Sequence, residues 1–193
     1  MFVKKININL ENIETPRLIL QQISQEHVND IFEIYYDYDV IRFTDSNLQF
    51  SKDDTIQFIN KINELYQQEK AIYWGLFEKK KNKIIGTIGL YNIKHKHFFA
   101  SISVLLNKKY WRQGYMFEAL RTFLPHAFDT IHLHRIEAQM YIHHEASVNL
   151  FEKLNFTREA MLRENFQIEW KQENSYLYSM LKSEFQNLKE FFS

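Results

Sequence analysis

The stretch NKKYWRQGYMFEALRTFL, residues 107–124, sets a lone glycine, Gly114, between a cationic aromatic loop and an amphipathic run that reads as a helix. Such a junction suits one kind of chemistry, the holding of an anion. Glycine lets backbone approach a phosphate with no Cβ in the way. A helix N-terminus adds free N–H donors and the positive end of the helix dipole, with no metal or lysine required. Arg112 supplies a cation able to pair with phosphate. An ordinary loop-to-helix turn uses the same residue types, so the glycine gains meaning only from the elements around it. The eight histidines, among them HKH at 95–97, HLH at 132–134 and the pair His143 and His144, invite a metal reading. Without cysteine, and with no helical His-x-x-x-His pair, they read instead as strand-end and loop residues, and no metal is expected.

The elements that must position this junction belong to a chain of 193 residues that is 45% hydrophobic, enough for one domain with a substantial core. Lysine plus arginine (24) balance aspartate plus glutamate (24). The chain therefore lacks the basic excess that nucleic-acid binders use against phosphates, and no nucleic-acid partner is expected. The absence of cysteine removes disulfides and thiolate nucleophiles. The opening MFVKKININLENIE has no apolar core of signal-peptide length, and nowhere do about 18 apolar residues run together. A soluble cytoplasmic protein with no membrane partner is expected. No internal repeat and no Pro/Gly/Ser linker divides the sequence.

Hydrophobic spacing orders the chain as β, α, α, β, β, β, α, β, α, β, β. RLILQQI (17–23) alternates as a strand, held extended by Pro16. Residues 24–37 form a helix from Ser24, with Val28, Ile31, Phe32 and Tyr35 on one face. Residues 51–70 repeat that grammar from Ser51. A hairpin over 71–93 turns at the charged EKKKNK, a solvated tip. A strand at 98–106, a helix at 114–129 and a strand at 134–142 follow, then a helix at 145–155 and strands at 157–165 and 174–181. Pro125 cannot donate a backbone hydrogen bond, so the main helix should kink or loosen in its last turn. The strand–helix–strand passage from 98 to 142 demands a parallel pair inside an otherwise antiparallel sheet. The helix at 114 then begins just beyond the carboxyl end of its strand.

ETPRLIL (14–20), DYDVIRFT (37–44), IIGTIGL (84–90), SISVLLNKKYWRQGYMFEAL (101–120), HRIEA (134–138) and EASVNLFEKLNF (145–156) together resemble a GCN5-related N-acetyltransferase (GNAT) of the RimJ/RimL type. The resemblance spans about residues 13–182, the core of a single domain over 1–193. It implies the GNAT fold, an α/β architecture with helices on both faces of a mixed, mostly antiparallel sheet whose one parallel pair splays to admit acetyl-CoA. It also implies transfer of an acetyl group from acetyl-CoA to a primary amine. In this family the pyrophosphate rests on backbone N–H groups of the loop opening the main helix, here Arg112, Gln113, Gly114, Tyr115, Met116 and Phe117. The pantetheine arm pairs with the splayed strand, here Val104, Leu105 and Leu106, and the second cofactor segment falls at His144 and Ser147.

Several places depart from the family pattern. Trp111 and Met116 occupy positions that the broad superfamily gives to Gln or Arg and to a small residue. Phe117 stands where a threonine hydroxyl commonly meets phosphate. His144 replaces an asparagine, and Asn155 a glycine whose left-handed conformation asparagine tolerates. Phe151 replaces the tyrosine that many members use as the acid, and Ser101 falls near a glutamate that some use as the base. Ser147 is then the acid-side candidate for the departing thiolate. Glu164 ranks above Glu137 as base, with a water path as the third option. Positioning alone can carry much of an acyl transfer, so a weak acid–base pair is compatible with an enzyme. The acceptor groove is expected beside Tyr36, Arg42 and Phe43. The acceptor is expected to be a protein N-terminal amine such as that of a ribosomal protein, or a small-molecule amine such as a polyamine, antibiotic or amino-acid-like compound. A non-catalytic acyl-CoA-binding domain is the reading of a different class, and a homodimer is kept among the partners.

Overall fold

The structure is a computed structural model describing residues 6–44 and 46–192. Met1–Lys5, on which part of the reading of the opening rests, lie outside the described residues. In chain order the strands are β1 (Ile13–Glu14), β2 (Leu18–Gln22), β3 (Ile72–Glu78), β4 (Lys83–Lys94), β5 (Phe99–Leu106), β6 (Arg135–Tyr141), β7 (Thr157–Ile168) and β8 (Lys171–Leu181). The α-helices are α1 (Val28–Tyr35), α2 (Tyr38–Ile41), α3 (Lys52–Gln67), α4 (Tyr115–Pro125), α5 (Glu145–Lys153), α6 (Lys182–Asn187) and α7 (Lys189–Phe192). Among the described residues one sheet of eight strands runs in the order β1-β2-β3-β4-β5-β6-β8-β7. Every neighbouring pair is antiparallel except β5 with β6, joined through α4 as the crossover requires.

Both faces of the sheet are covered. On one, Ala119, Leu120, Phe123 and Leu124 of α4 and Phe185 of α6 pack onto Leu18, Leu20, Ile72, Trp74 and Ile88. Trp74 is fully buried, meets the Phe123 ring edge-on at 5.0 Å between centroids, and donates its indole N–H to the Glu11 carbonyl at 3.2 Å. On the other face, Ile31, Ile34 and Tyr35 of α1, Val40 and Ile41 of α2, and Ile59 and Ile62 of α3 close over Ile23, Ile84 and Leu105. Each such side chain, fully buried, contributes about 1.5–3 kcal/mol. This burial fixes α4 and α1 against opposite faces of the strands that frame the site.

Local signals explain where the elements begin and end. Ser51 Oγ accepts from the Asp54 N–H at 3.2 Å while Asp54 Oδ2 accepts from the Ser51 N–H at 2.9 Å, a capping box that starts α3. Past Pro125 the main helix widens into a π-turn over His126–Thr130. Asn155 ends α5 at φ 62°, the left-handed conformation expected of it. The helix expected over 24–37 is instead a single 3₁₀ turn, Gln25–His27, followed by α1, and a separate α2 starts after Asp37, whose Oδ1 caps the Asp39 N–H at 3.0 Å. The last two strands reach further than the spacing predicts and meet as one long hairpin at Glu169 and Trp170.

Candidate active site

β5 and β6 pair at only three places, Phe99↔Arg135, Ala100↔Ile136 and Ser101↔Glu137. Beyond them β5 keeps β4 through Leu106 but no longer pairs with β6, so the sheet opens towards the carboxyl ends of the two strands. A cleft of about 850 Å³ fills the gap, with Val104, Leu105 and Leu106 on one wall, Ala138 and Met140 on the other, and the first turns of α4 and α5 at its rim. Two helix N-termini thus meet at the mouth of a splayed parallel pair.

The loop before α4 is shaped by its own hydrogen bonds. The Asn107 N–H donates to the Ile85 carbonyl at 2.8 Å, and Asn107 Oδ1 accepts from the Lys109 N–H at 3.0 Å. The Trp111 indole donates back to the Leu106 carbonyl at 2.7 Å, and the Gln113 amide to the Lys109 carbonyl at 2.8 Å. Arg112 (φ 58°) and Gly114 (φ 77°) are left-handed on either side of Gln113, an alternation of the kind that forms backbone nests for anions. Gly114 is the cap of α4, and its positive φ rather than crowding demands glycine, since an added Cβ would lie 3.6 Å from Arg17 Nη2.

Arg17 holds this loop from a distance, a role no local pattern signalled. Its Nη1 donates to the Gln113 carbonyl at 3.0 Å, its guanidinium lies 4.0 Å over the Tyr115 ring, and its Nε pairs with Glu118 Oε2 at 2.6 Å. Glu118 also accepts from Thr15 Oγ1 at 2.5 Å and from the Arg17 N–H at 2.9 Å. Burial works to raise the Glu118 carboxyl, but these bonds from Thr15 and Arg17 outweigh it and hold its pKa below the ordinary value. The sequence motif ETPRLIL thereby clamps the first turn of α4.

At the other end of the cleft Phe43 stacks on His144 at 4.7 Å and on Tyr141 at 5.6 Å, with the Arg42 guanidinium 4.5 Å over its ring. His144 caps α5, and its Nδ1 lies 2.8 Å from Ser147 Oγ. Burial first, and the Arg42 charge second, hold the His144 pKa below the ordinary imidazole value.

Most of the expected residues come together here. Val104, Leu105, Leu106, Arg112, Gly114, Tyr115, Met116, Phe117, His144, Ser147, Arg42 and Phe43 all line the cleft. Gln113 does not line the cleft: its carbonyl accepts from Arg17, and its side chain turns back to Lys109. Tyr36 does not line the cleft: it is 59% exposed and stacks on Phe32, and Tyr35 lines the cleft in its place. Glu164 is likewise outside. It sits at φ 49° where the β7 register shifts between Leu162 and Phe166, its side chain is exposed, and its N–H donates to Asn174 Oδ1 at 2.9 Å. Glu137 is ion-paired to Arg135 at 2.6 Å. Among the described residues no three His, Asp or Glu side chains gather as a metal site, and no helix is long and apolar enough to cross a membrane.

Two ion pairs tie the loop to α2 and α1. Lys108 meets Asp39 of α2 at 2.6 Å, and Lys109 meets Glu33 of α1 at 2.5 Å, where Lys83 also arrives at 2.5 Å. Hydrogen bonds from Lys109, then Lys83, lower the Glu33 pKa to about 2. A carboxyl lowered on folding contributes stability above its unfolded value and loses it as pH falls through about 2. Acid titration of denaturant stability should therefore show a Glu33-dependent loss between the ordinary carboxylate range and about pH 2, absent in Glu33→Gln.

Residues 17–157 match the model of the acetyltransferase (GNAT) domain. The uncharacterized N-acetyltransferase YoaA of Bacillus subtilis (strain 168) is 30% identical over 170 residues, which is 88% of this chain and 96% of that protein. The ribosomal protein uS5-alanine N-acetyltransferase of Escherichia coli (strain K12) is 32% identical over 107 residues, 55% of each chain. Among solved structures, RimL, a ribosomal L7/L12 α-N-protein acetyltransferase in complex with coenzyme A, superposes with a TM-score of 0.81 at 18% identity, covering 89% of this chain and 98% of that one. The open parallel pair, the glycine-capped α4 and a family match over most of the length have one reading: this chain belongs to the GNAT acetyltransferase family and is an N-acetyltransferase.

Proposed function

We propose that the chain transfers the acetyl group of acetyl-CoA to the α-amine of a protein N-terminus, in the cytoplasm and without a metal. The observation that carries this reading is the cleft itself, an apolar slot between β5 and β6 that ends on the left-handed Gly114 and the N-terminus of α4. Acetyl-CoA fits that chemistry: an extended amide arm suits the unpaired stretch at Val104, Leu105 and Leu106, and a pyrophosphate suits the N–H groups of Arg112 to Phe117. When bound, acetyl-CoA supplies the activated acyl group. The residues of the chain hold it, align the amine and exclude water, and alignment alone removes a large entropic barrier.

Ser147, in the cleft, is the donor for the departing sulfur. With Glu164 outside the cleft and Glu137 held by Arg135, water is the exit for the proton that the acceptor ammonium loses before attack. Arg42 and Phe43 form the acceptor wall. Similarity over 107 residues to an enzyme named for the ribosomal protein uS5 favours a protein N-terminus. A small-molecule amine is the second reading, favoured by Arg42 and Phe43, which line the same cleft.

Thiol release from acetyl-CoA across N-terminal peptides and small amines tests this. Turnover highest on peptide α-amines is expected. Turnover confined to small amines would select the second reading, and none on any amine would overturn both. Phe117, with Lys153 Nζ 4.4 Å over its ring, occupies the place of a phosphate-binding hydroxyl. Phe117→Thr should tighten CoA binding about threefold to tenfold by calorimetry, the value of one recovered hydrogen bond.

A further inference from the structure

Resting on the reading of the cleft as the acetyl-CoA site, we propose that His144 and Ser147 form a two-residue proton shuttle carrying the proton of the attacking amine to the departing sulfur. The geometry is that of a relay. His144 Nδ1 lies 2.8 Å from Ser147 Oγ, both residues line the cleft, and His144 caps α5 at the open end of the splayed strands. Phe43 stacks on the imidazole at 4.7 Å and fixes its plane. With Nδ1 committed to Ser147, Nε2 is the ring's second site, so one neutral imidazole can accept at one nitrogen while it donates at the other.

The step balances. Once nitrogen has bonded to the acyl carbon, His144 Nε2 takes the proton from that nitrogen. His144 Nδ1 releases its proton to Ser147 Oγ, and Ser147 passes its own hydroxyl proton to the sulfur as the carbon–sulfur bond breaks and its electron pair stays on sulfur. Ser147 ends unchanged and His144 ends as the other neutral tautomer, which reverts through water. No oxidant, reductant or metal is needed.

A neutral ring is essential, since imidazolium has no acceptor nitrogen. The charged and titratable groups around it are Arg42 with Asp39 behind it, Tyr141 of β6, His143 in the preceding turn, and Glu145 on α5. Burial and the Arg42 charge both disfavour protonation, so the ring stays neutral at pH 7 and the acid limb of kcat should lie below about 6.5.

Imidazole ¹⁵N NMR of the full chain tests the starting state without turnover. The neutral Nδ1–H tautomer is expected at pH 7, shifting towards Nε2–H in Ser147→Ala. Kinetically, His144→Gln should lower kcat about a hundredfold or more and erase the acid limb. With Ser147→Ala the double variant should be no slower than the slower single one. An Nε2–H or charged ring at pH 7, a His144→Gln kcat within about threefold of the parent, or losses that multiply would each overturn the shuttle. If those results came from a chain that binds CoA and turns over, the shuttle alone would fall. Failure of the unaltered chain to bind CoA would remove the underlying reading and the shuttle with it.

Discussion

Gly114→Glu should abolish detectable CoA binding, a loss of at least about a hundredfold in affinity by calorimetry. Two costs add. A non-glycine residue at φ 77° pays about 1–2 kcal/mol of left-handed strain at the cap of α4. A carboxylate is also set in the proposed pyrophosphate cradle, and like charges at close range in a sheltered site repel by several kcal/mol. The new side chain has a further target, because Arg17 Nη2 would lie 3.6 Å from its Cβ and could be drawn off the Gln113 carbonyl. Gly114→Ala separates the terms: it carries the strain without the charge and should lose about tenfold. A similar, modest fall in the melting of both variants, read by circular dichroism, reports the shared strain, and the extra loss of binding in Gly114→Glu then lies in the cradle. Binding of Gly114→Glu within about threefold of the parent would remove the loop from the cofactor site.

Glu118→Ala carries the second large effect, a loss of about 2–4 kcal/mol of stability. Glu118 accepts from Thr15 Oγ1, the Arg17 N–H and Arg17 Nε at 2.5, 2.9 and 2.6 Å, and its truncation strands all three donors in a partly buried place. For a chain of this size that is a fall of roughly 5–15 °C in melting temperature. The folded-state pKa of Glu118 is depressed, so its contribution is full above the unfolded value and fades as pH falls through the folded one. Parent and variant stabilities should therefore converge in acid. CoA affinity should fall as well, because Arg17 loses the partner that holds its guanidinium against the loop. Equal stability of parent and variant at neutral pH would show the clamp to be decorative.

The two effects mark what could and could not be read from residues in order. Gly114 was visible because loop, glycine and helix are contiguous, and the crossover around it forced the parallel pair. The clamp was invisible because Arg17 and Glu118 stand 101 residues apart and share no period. Tyr35 shares the buried face with Ile31 as the helical spacing predicts, whereas Tyr36, expected beside the acceptor groove, points away from the cleft. Glu164, the first-ranked base candidate, lies outside the cleft, where the shifted register between Leu162 and Phe166 breaks the alternation of a regular strand. The hairpin joining β7 to β8 was underestimated because β7 is the edge strand and largely exposed on both faces, which leaves no hydrophobic period to see. His144 and Ser147 were each legible, but the turn that brings Nδ1 to Oγ was not.

The most direct test of the account is the crystal structure of the chain with CoA bound. The pyrophosphate is expected against the backbone of Arg112 to Phe117 and the pantetheine arm between β5 and β6 beside Val104, Leu105 and Leu106. The sulfur is expected within hydrogen-bonding reach of Ser147 Oγ. CoA bound elsewhere, or β5 and β6 zipped together past Ser101 and Glu137, would contradict it.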